Sequence, residues 1–222
     1  MVTARRGLVV SFMSSRVMAP IFPYSQLHGP SLMPFSVKTQ ERLNEMVSLR
    51  KSNAVPKTIF TGSLYEPRTS ILNSMQSAVE AKGDCFEILG RPMGSARIGD
   101  DEYWARLVDA DIVYTTAVQA KQLGTDWTGM PHFIYRYLEV LASGSFLIAE
   151  DVPGVRRFFT PGIHFVIYEN ADDAVDKIHY YLNNESEREK IAINGQSRAE
   201  SLIQARAFWM TIDSILMAES IR

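Results

Sequence analysis

Cysteine is almost absent from this sequence: one residue in 222, Cys85. A single thiol closes no internal disulfide, so packing has to hold the chain together, and the usage fits a reducing compartment. Cys85 lies in the apolar run CFEIL and reads as a buried structural thiol rather than a nucleophile. A basic excess is absent too: Lys and Arg number 23, Asp and Glu 25, for a net charge of −2. Such a balance cannot neutralise a phosphate backbone, which excludes a nucleic-acid partner. No apolar stretch reaches the length of a bilayer span. Arg5-Arg6 followed by GLVVSFM imitates a secretory leader. However, the apolar run is short, Arg16 soon follows, and no small-x-small cleavage site appears. The expectation is a soluble, cytoplasmic protein. GxGxxG and Walker loops are missing, which disfavours an ordinary dinucleotide or ATP-hydrolysing site. His28, His164 and His179 have no carboxylate or cysteine partners at metal-ligand spacing, so no metal site is expected. There is no internal repeat and no low-complexity segment.

What the chain does have is 46% hydrophobic residues, enough for a sizeable core. Residues 1–56 carry Pro20, Pro23, Pro30, Pro34 and Pro56, and the stretch APIFPYSQLHGPSLMPF is apolar without a steady period. This segment reads either as an irregular leader or as the remnant of a larger, missing N-terminal unit. It holds one expected helix, with Thr39 as N-cap and Leu43, Met46 and Val47 on one face.

From Lys57 to the end the pattern is regular. KTIFT, CFEIL, DIVYT, FLIAE and FVIY read as strands. Between them lie helical faces: Ile71, Leu72, Met75, Ala78 and Val79; then Tyr103, Leu107 and Val108; then Phe133, Ile134, Tyr137, Leu138 and Leu141. Asn170 caps the next helix, with Asp173 placed as in a capping box. Two more helices follow, one over about Glu185 to Leu202 and one carrying Phe208, Trp209, Ile212, Ile215 and Leu216. Strands apolar on both faces that alternate with helices predict an α/β fold, a doubly wound parallel sheet over residues 57–222.

Ligands of such sheets lie at the carboxyl ends of the strands. The loops there read GSLYEPR, GRPMGSARIGDD, TAVQAKQLGTDWTGMPH and DVPGVRR. Gly62 and Gly90 follow their strands directly, either for close ligand approach or for a tight turn. Glu139 is expected about two turns into a helix starting near Pro131. There it either accepts the hydroxyls of a ribose beside a pyrophosphate held by free N–H groups, or pairs with Arg136 one turn earlier. Spacing alone slightly favours the pair. Arg68, Arg91 and Arg136 read as phosphate contacts or as surface charge, and His132 as a phosphate contact at the helix start. Glu150-Asp151 either reach sugar hydroxyls or cap the following turn. Tyr65 and Trp127 are loop aromatics.

The stretch RYLEVLASGSFLIAEDVPGVRRFFTPGIHFVIYENADDAVDKIHYYLNNESEREKIAINGQSR resembles the C-terminal domain of GT-B glycosyltransferases of the group 1, family 4-like kind. The shared features are an Arg-x-x-Glu helix with small residues and Gly before a strand, a Gly-x-His…Tyr segment, Glu-Arg, and Ile-Ala-x-x-Gly. TGSLYEPRTSIL and EYWARLVDADIVYTT resemble the preceding parts of the same Rossmann-like domain, so the likeness covers roughly residues 57–217. The resemblance implies that a nucleoside-diphosphate sugar is bound without cofactor or essential metal. By position Glu139 would hold the ribose. Gly62, Arg68, the turn around Gly129 and His132, and Arg136 would lie near the phosphates. Gly90-Arg91 would meet the base.

Two departures stand out. Many such enzymes carry a second glutamate eight positions before the ribose glutamate, where this chain has Pro131. The segment before Lys57 is also too short for the acceptor-binding domain. The resemblance therefore implies a glycosyltransferase, or its donor-binding half, acting on an unknown acceptor and awaiting a separate N-terminal domain or partner chain. The alternative is a non-catalytic nucleotide-binding or interaction module of the same fold. A receiver- or flavodoxin-like domain is set aside, because TGSLYEPR offers only Glu66 where an acidic cluster is needed.

Overall fold

The five apolar runs after Lys57 become five parallel strands in the computed structural model, which describes residues 8–10, 19, 26–29, 31–117 and 132–220. β1 (Leu8–Val10) and β2 (Gln26–His28) form a separate parallel pair. After α1 (Val37–Ser48) come β3 (Lys57–Leu64), α2 (Arg68–Ala81), β4 (Cys85–Pro92), α3 (Asp100–Asp109) and β5 (Ile112–Tyr114). Then follow α4 (Arg136–Ala142), β6 (Phe146–Glu150), β7 (Val166–Tyr168) and α5 (Ala171–Asn183). α6 (Glu185–Leu202) and α7 (Ala205–Ser220) come last. The sheet order is β4-β3-β5-β6-β7, with every pair parallel. The order reverses between β3 and β5, and at such a switch point an α/β sheet opens a crevice above its strand ends.

Alternation along the strands sends neighbouring residues to opposite faces. Ile59, Val113, Leu147 and Ala149 pack with Leu43, Trp104, Leu107, Val108 and Leu138, so α1, α3 and α4 cover one face. Phe60, Ile112, Phe146 and Ile148 pack with Leu72, Met75, Val175 and Ile178, so α2 and α5 cover the other. α6 feeds both, through Ala199 on the first and Ile191 and Ala192 on the second. Residues 31–50 belong to the same core. Leu32, Phe35 and Leu43 are buried in it, Phe35 N donates to Ile203 O at 3.1 Å, and Arg50 donates to Gly144 O at 2.9 Å and Ala110 O at 2.8 Å.

Local details depart from expectation in four places. The N-cap of α1 is Ser36, whose Oγ accepts from Thr39 N at 3.1 Å, rather than Thr39 itself. β3 and β4 run three residues beyond KTIFT and CFEIL, so Gly62 and Gly90 lie inside the strands, paired with each other. The residue of α3 buried beside Leu107 and Val108 is Trp104 rather than Tyr103. α4 starts at Arg136, not near Pro131, so Glu139 sits in its first turn.

The α5 start matches the sequence reading. Asn170 Oδ1 accepts from Asp173 N at 3.0 Å, and Asp173 Oδ2 accepts from Glu169 N at 2.8 Å. Asn170→Ala is expected to remove about 1 kcal/mol. In a chain of this size that lowers the thermal midpoint by roughly 2–4 °C in circular dichroism; an unchanged midpoint would show the cap to be idle. At its other end α5 is capped by buried Arg188, which donates to Tyr181 O at 2.6 Å and Leu182 O at 3.2 Å and so satisfies carbonyls the helix leaves unpaired. Beyond α6, α7 leaves Trp209, Met210 and Met217 exposed. No helix among the described residues is long and apolar enough to cross a membrane.

Candidate functional site

A cleft of about 660 Å³ opens at the carboxyl ends of β3 and β4. Its floor is Thr61-Gly62-Ser63 and Leu89-Gly90-Arg91, neighbouring strand ends held in parallel register. The two paired glycines keep this floor low. A Cβ on Gly90 would stand 2.5 Å from Leu64 Cγ, so the Leu64 side chain occupies the space a side chain there would need. Gly62 has φ +155° and would bring a Cβ to 3.1 Å from Phe60 Cζ. One wall is α3, through Asp100, Tyr103, Trp104 and Arg106; another is Phe35, Ser36 and Thr39 at the start of α1. The first turn of α4 supplies Arg136 and Glu139.

These last two meet Tyr103 in one cluster. The Tyr103 hydroxyl donates to Glu139 Oε2 at 2.5 Å. Arg136 Nε lies 3.6 Å from the same oxygen, and its guanidinium stands 4.7 Å from the centre of the Tyr103 ring. Both charged side chains are about four-fifths buried, so their attraction is less screened than on an open surface. Burial pushes the Tyr103 hydroxyl far above its usual range, with Glu139 raising it further and Arg136 opposing, so it remains a donor. Among the described residues nothing bonds Glu139 Oε1. Among those residues Arg136 Nη1 too is buried without a partner. Such a donor costs roughly 1–3 kcal/mol while it stays unpaired.

The cleft is cationic. Arg91, Arg97, Arg106 and Arg136 line it against Asp100 and Glu139. Arg106 is partly spent on Glu102 at 2.6 Å and Leu89 O at 3.4 Å, while Arg91 donates to Ser95 O at 2.5 Å. A concave surface of this sign attracts anions. Among the described residues no three His, Cys, Asp or Glu side chains gather as metal ligands.

The structure brings Glu139, Arg136, Gly62, Gly90 and Arg91 together on this cleft. Arg68 is not on its lining. It is buried on the ring of Tyr65, 4.3 Å from the centroid, and donates to Ser63 O and Thr116 O, each at 3.1 Å. It thereby ties the end of β3 to the segment after β5. Desolvation lowers its pKa. His132 is also off the lining, and Gly129, Trp127 and Pro131 lie outside the described residues. Glu150 caps the turn after β5, accepting from Thr116 Oγ1 at 3.0 Å and Ala117 N at 2.6 Å. Asp151 is held by Arg156, with Nη2 to Oδ2 at 2.8 Å. Sequence reasoning missed the wall formed by Phe35, Ser36 and Thr39, along with Arg97, Arg106 and the outward turn of Tyr103. Only the adjacency of Tyr103 to Trp104 hinted that one of the two aromatics had to leave the core.

Comparisons with known proteins agree with this fold. No curated protein matches the sequence. Among solved structures, HepE of Anabaena in complex with UDP and glucose is 13% identical with a TM-score of 0.61, over 96% of this chain and 63% of HepE. Sucrose-phosphate synthase of Thermosynechococcus elongatus is 15% identical with a TM-score of 0.58, over 96% of this chain and 58% of the synthase. The C-terminal domain of the group 1 glycosyl transferase LpcC of Francisella tularensis is 15% identical with a TM-score of 0.51, over 80% of this chain and all of that domain. This chain thus spans less than two thirds of the length of HepE and of the synthase. Residues 68–211, most of the sheet domain, match the family model described as glycosyl transferase-like. A parallel sheet in the order β4-β3-β5-β6-β7, with its cleft at the strand ends, is the frame on which that match lies, and the chain belongs to the glycosyl transferase-like family, with the GT-B fold of its carboxyl-terminal domains.

Proposed function

We propose that this chain is the donor-binding part of a glycosyltransferase, which moves a sugar from a nucleoside diphosphate to an acceptor. The observation that carries this reading is Glu139, a carboxylate about four-fifths buried, with one oxygen held by the protein and the other unbonded among the described residues, set in a cleft lined by arginines. The free oxygen has two lone pairs, suited to the two hydroxyls of a ribose. Arg136 and its neighbours suit a diphosphate and stabilise the negative charge that grows on it as the sugar leaves. Gly62 and Gly90 let the ligand lie close to the floor. That HepE was solved with UDP and glucose supports the same ligand class here. Cysteine usage supports a cytoplasmic setting. Arginine supplies the positive charge in this scheme, so donor binding is independent of divalent metal.

Calorimetry with UDP, GDP, ADP, TDP and their sugars, in EDTA and then in Mg²⁺, tests this. Saturable binding of one diphosphate, equal in both buffers, is the expected result. If the folded protein binds none of them, the non-catalytic interaction module is the better reading. If binding requires Mg²⁺, the metal-independent scheme is wrong.

A further inference from the structure

The contact between Tyr103 and Glu139 says more than that a carboxylate is present. We propose that Tyr103 is a positioning residue: its hydroxyl fixes the Glu139 carboxylate so that Oε1 alone meets the ribose hydroxyls, and discrimination for ribose depends on that hydroxyl. The inference rests on the donor-site reading above.

Three observations carry it. First, the two side-chain partners of the Glu139 carboxylate among the described residues, the Tyr103 hydroxyl at 2.5 Å and Arg136 Nε at 3.6 Å, address Oε2 and leave Oε1 to the cleft. The terminal torsion of a glutamate is broad and nearly two-fold, so an unheld carboxylate spreads its oxygens over many directions. Second, the hold comes from another element. Tyr103 lies 36 residues upstream on α3, which is anchored by buried Trp104, Leu107 and Val108. A rigid partner that is not on the helix of Glu139 sets direction better than a neighbour on the same turn. Third, the ring itself is fixed, edge-on to Trp104 at 5.4 Å and under the Arg136 guanidinium at 4.7 Å. Phenylalanine would keep both ring contacts and lose only the donor.

The test is Tyr103→Phe, with dissociation constants for UDP, GDP and ADP measured beside their 2′,3′-dideoxy counterparts. The dideoxy ligands have no hydroxyl for Glu139. The expected result is a loss of about tenfold in affinity for the ribonucleotide that the parent binds, with the dideoxy affinity unchanged. The ratio of the two affinities then falls by the same factor. A purely structural tyrosine would weaken both ligands alike and leave the ratio where it was; that result, or no change in either affinity, overturns the proposal. Because the readout is a ratio within one variant, a modest loss of stability does not disturb it. If the parent protein binds none of the three diphosphates, the donor-site reading itself is overturned and this inference with it. An unchanged ratio beside normal parental binding overturns the inference alone.

Discussion

Glu139→Gln weakens nucleoside diphosphate binding by about a hundredfold and leaves the unfolding midpoint within about 2 °C of the parent. Hydrogen bonds to an ionised group are worth roughly 1.5–3 kcal/mol, and 2.8 kcal/mol is a hundredfold in affinity. The amide is worse than a simple loss of charge. Its carbonyl is drawn to the Tyr103 donor, which now bonds Oε2, and this turns the NH₂ group toward the ribose hydroxyls. An amide donor then stands where a charged acceptor stood, and the ribose hydroxyls can meet it only by turning their own hydrogens elsewhere. Stability changes little because the side chain keeps its shape and its bond to Tyr103. Glu139→Ala also weakens binding, but it leaves the buried Tyr103 hydroxyl and Arg136 guanidinium without their shared acceptor and is expected to be the less stable of the two. Calorimetry and a thermal scan on both variants read these effects. Equal affinity in parent and Glu139→Gln would remove Glu139 from the ribose site.

Gly195→Ala has the largest expected effect on folding. Gly195 sits in α6 where that helix crosses α4, and an added Cβ would stand 2.4 Å from His164 O and 2.7 Å from Leu141 Cδ2. The first of these is backbone and cannot swing aside. Overpacking of this kind costs up to about 3 kcal/mol even after relaxation, and the helix propensity that alanine adds recovers about 1 at most. A net loss of about 2–3 kcal/mol lowers the thermal midpoint by roughly 4–12 °C in a chain of this length. A midpoint equal to that of the parent would mean that α6 does not lie this close to the His164 carbonyl and to Leu141 of α4. The variant also bears on the site, because Leu141 is on the helix that carries Glu139 and Arg136. A shifted α4 loosens donor binding along with the fold.

The fold was legible wherever burial alone dictates the pattern. DIVYT and FLIAE are apolar on both faces because β5 and β6 are covered on both, so their type and parallel pairing followed from composition. Asn170 and Asp173 announced the start of α5 because capping is chemistry between residues three apart. The Ile-Ala-x-x-Gly motif pointed to Gly195, but its reason, a backbone carbonyl 31 positions earlier in sequence, was not visible there.

The site was legible in part. Glu139, Arg136, Gly62, Gly90 and Arg91 were singled out because each falls at a strand end or in the helix before FLIAE. For Glu139 the choice between an Arg136 pair and an open carboxylate was posed as exclusive; folded, Oε2 takes the pair and Oε1 remains open. Arg68 looked equivalent to Arg136 along the sequence. Only packing separates them, with Arg68 bonded to the carbonyls of Ser63 and Thr116 and Arg136 lining the cleft.

By itself, then, the sequence determined the elements, their alternation, the parallel class of the sheet and the strand ends at which a ligand would sit. These depend on periodicity and on contacts within a few residues. The tertiary structure decided which side chains share a space: Tyr103 with Glu139, Gly62 with Gly90, and Phe35 with the wall of the cleft. Those pairings are set by the register of β3 on β4 and by where α3 and α4 lie on the sheet, which depend on the volumes of the whole core and leave no local trace in the chain.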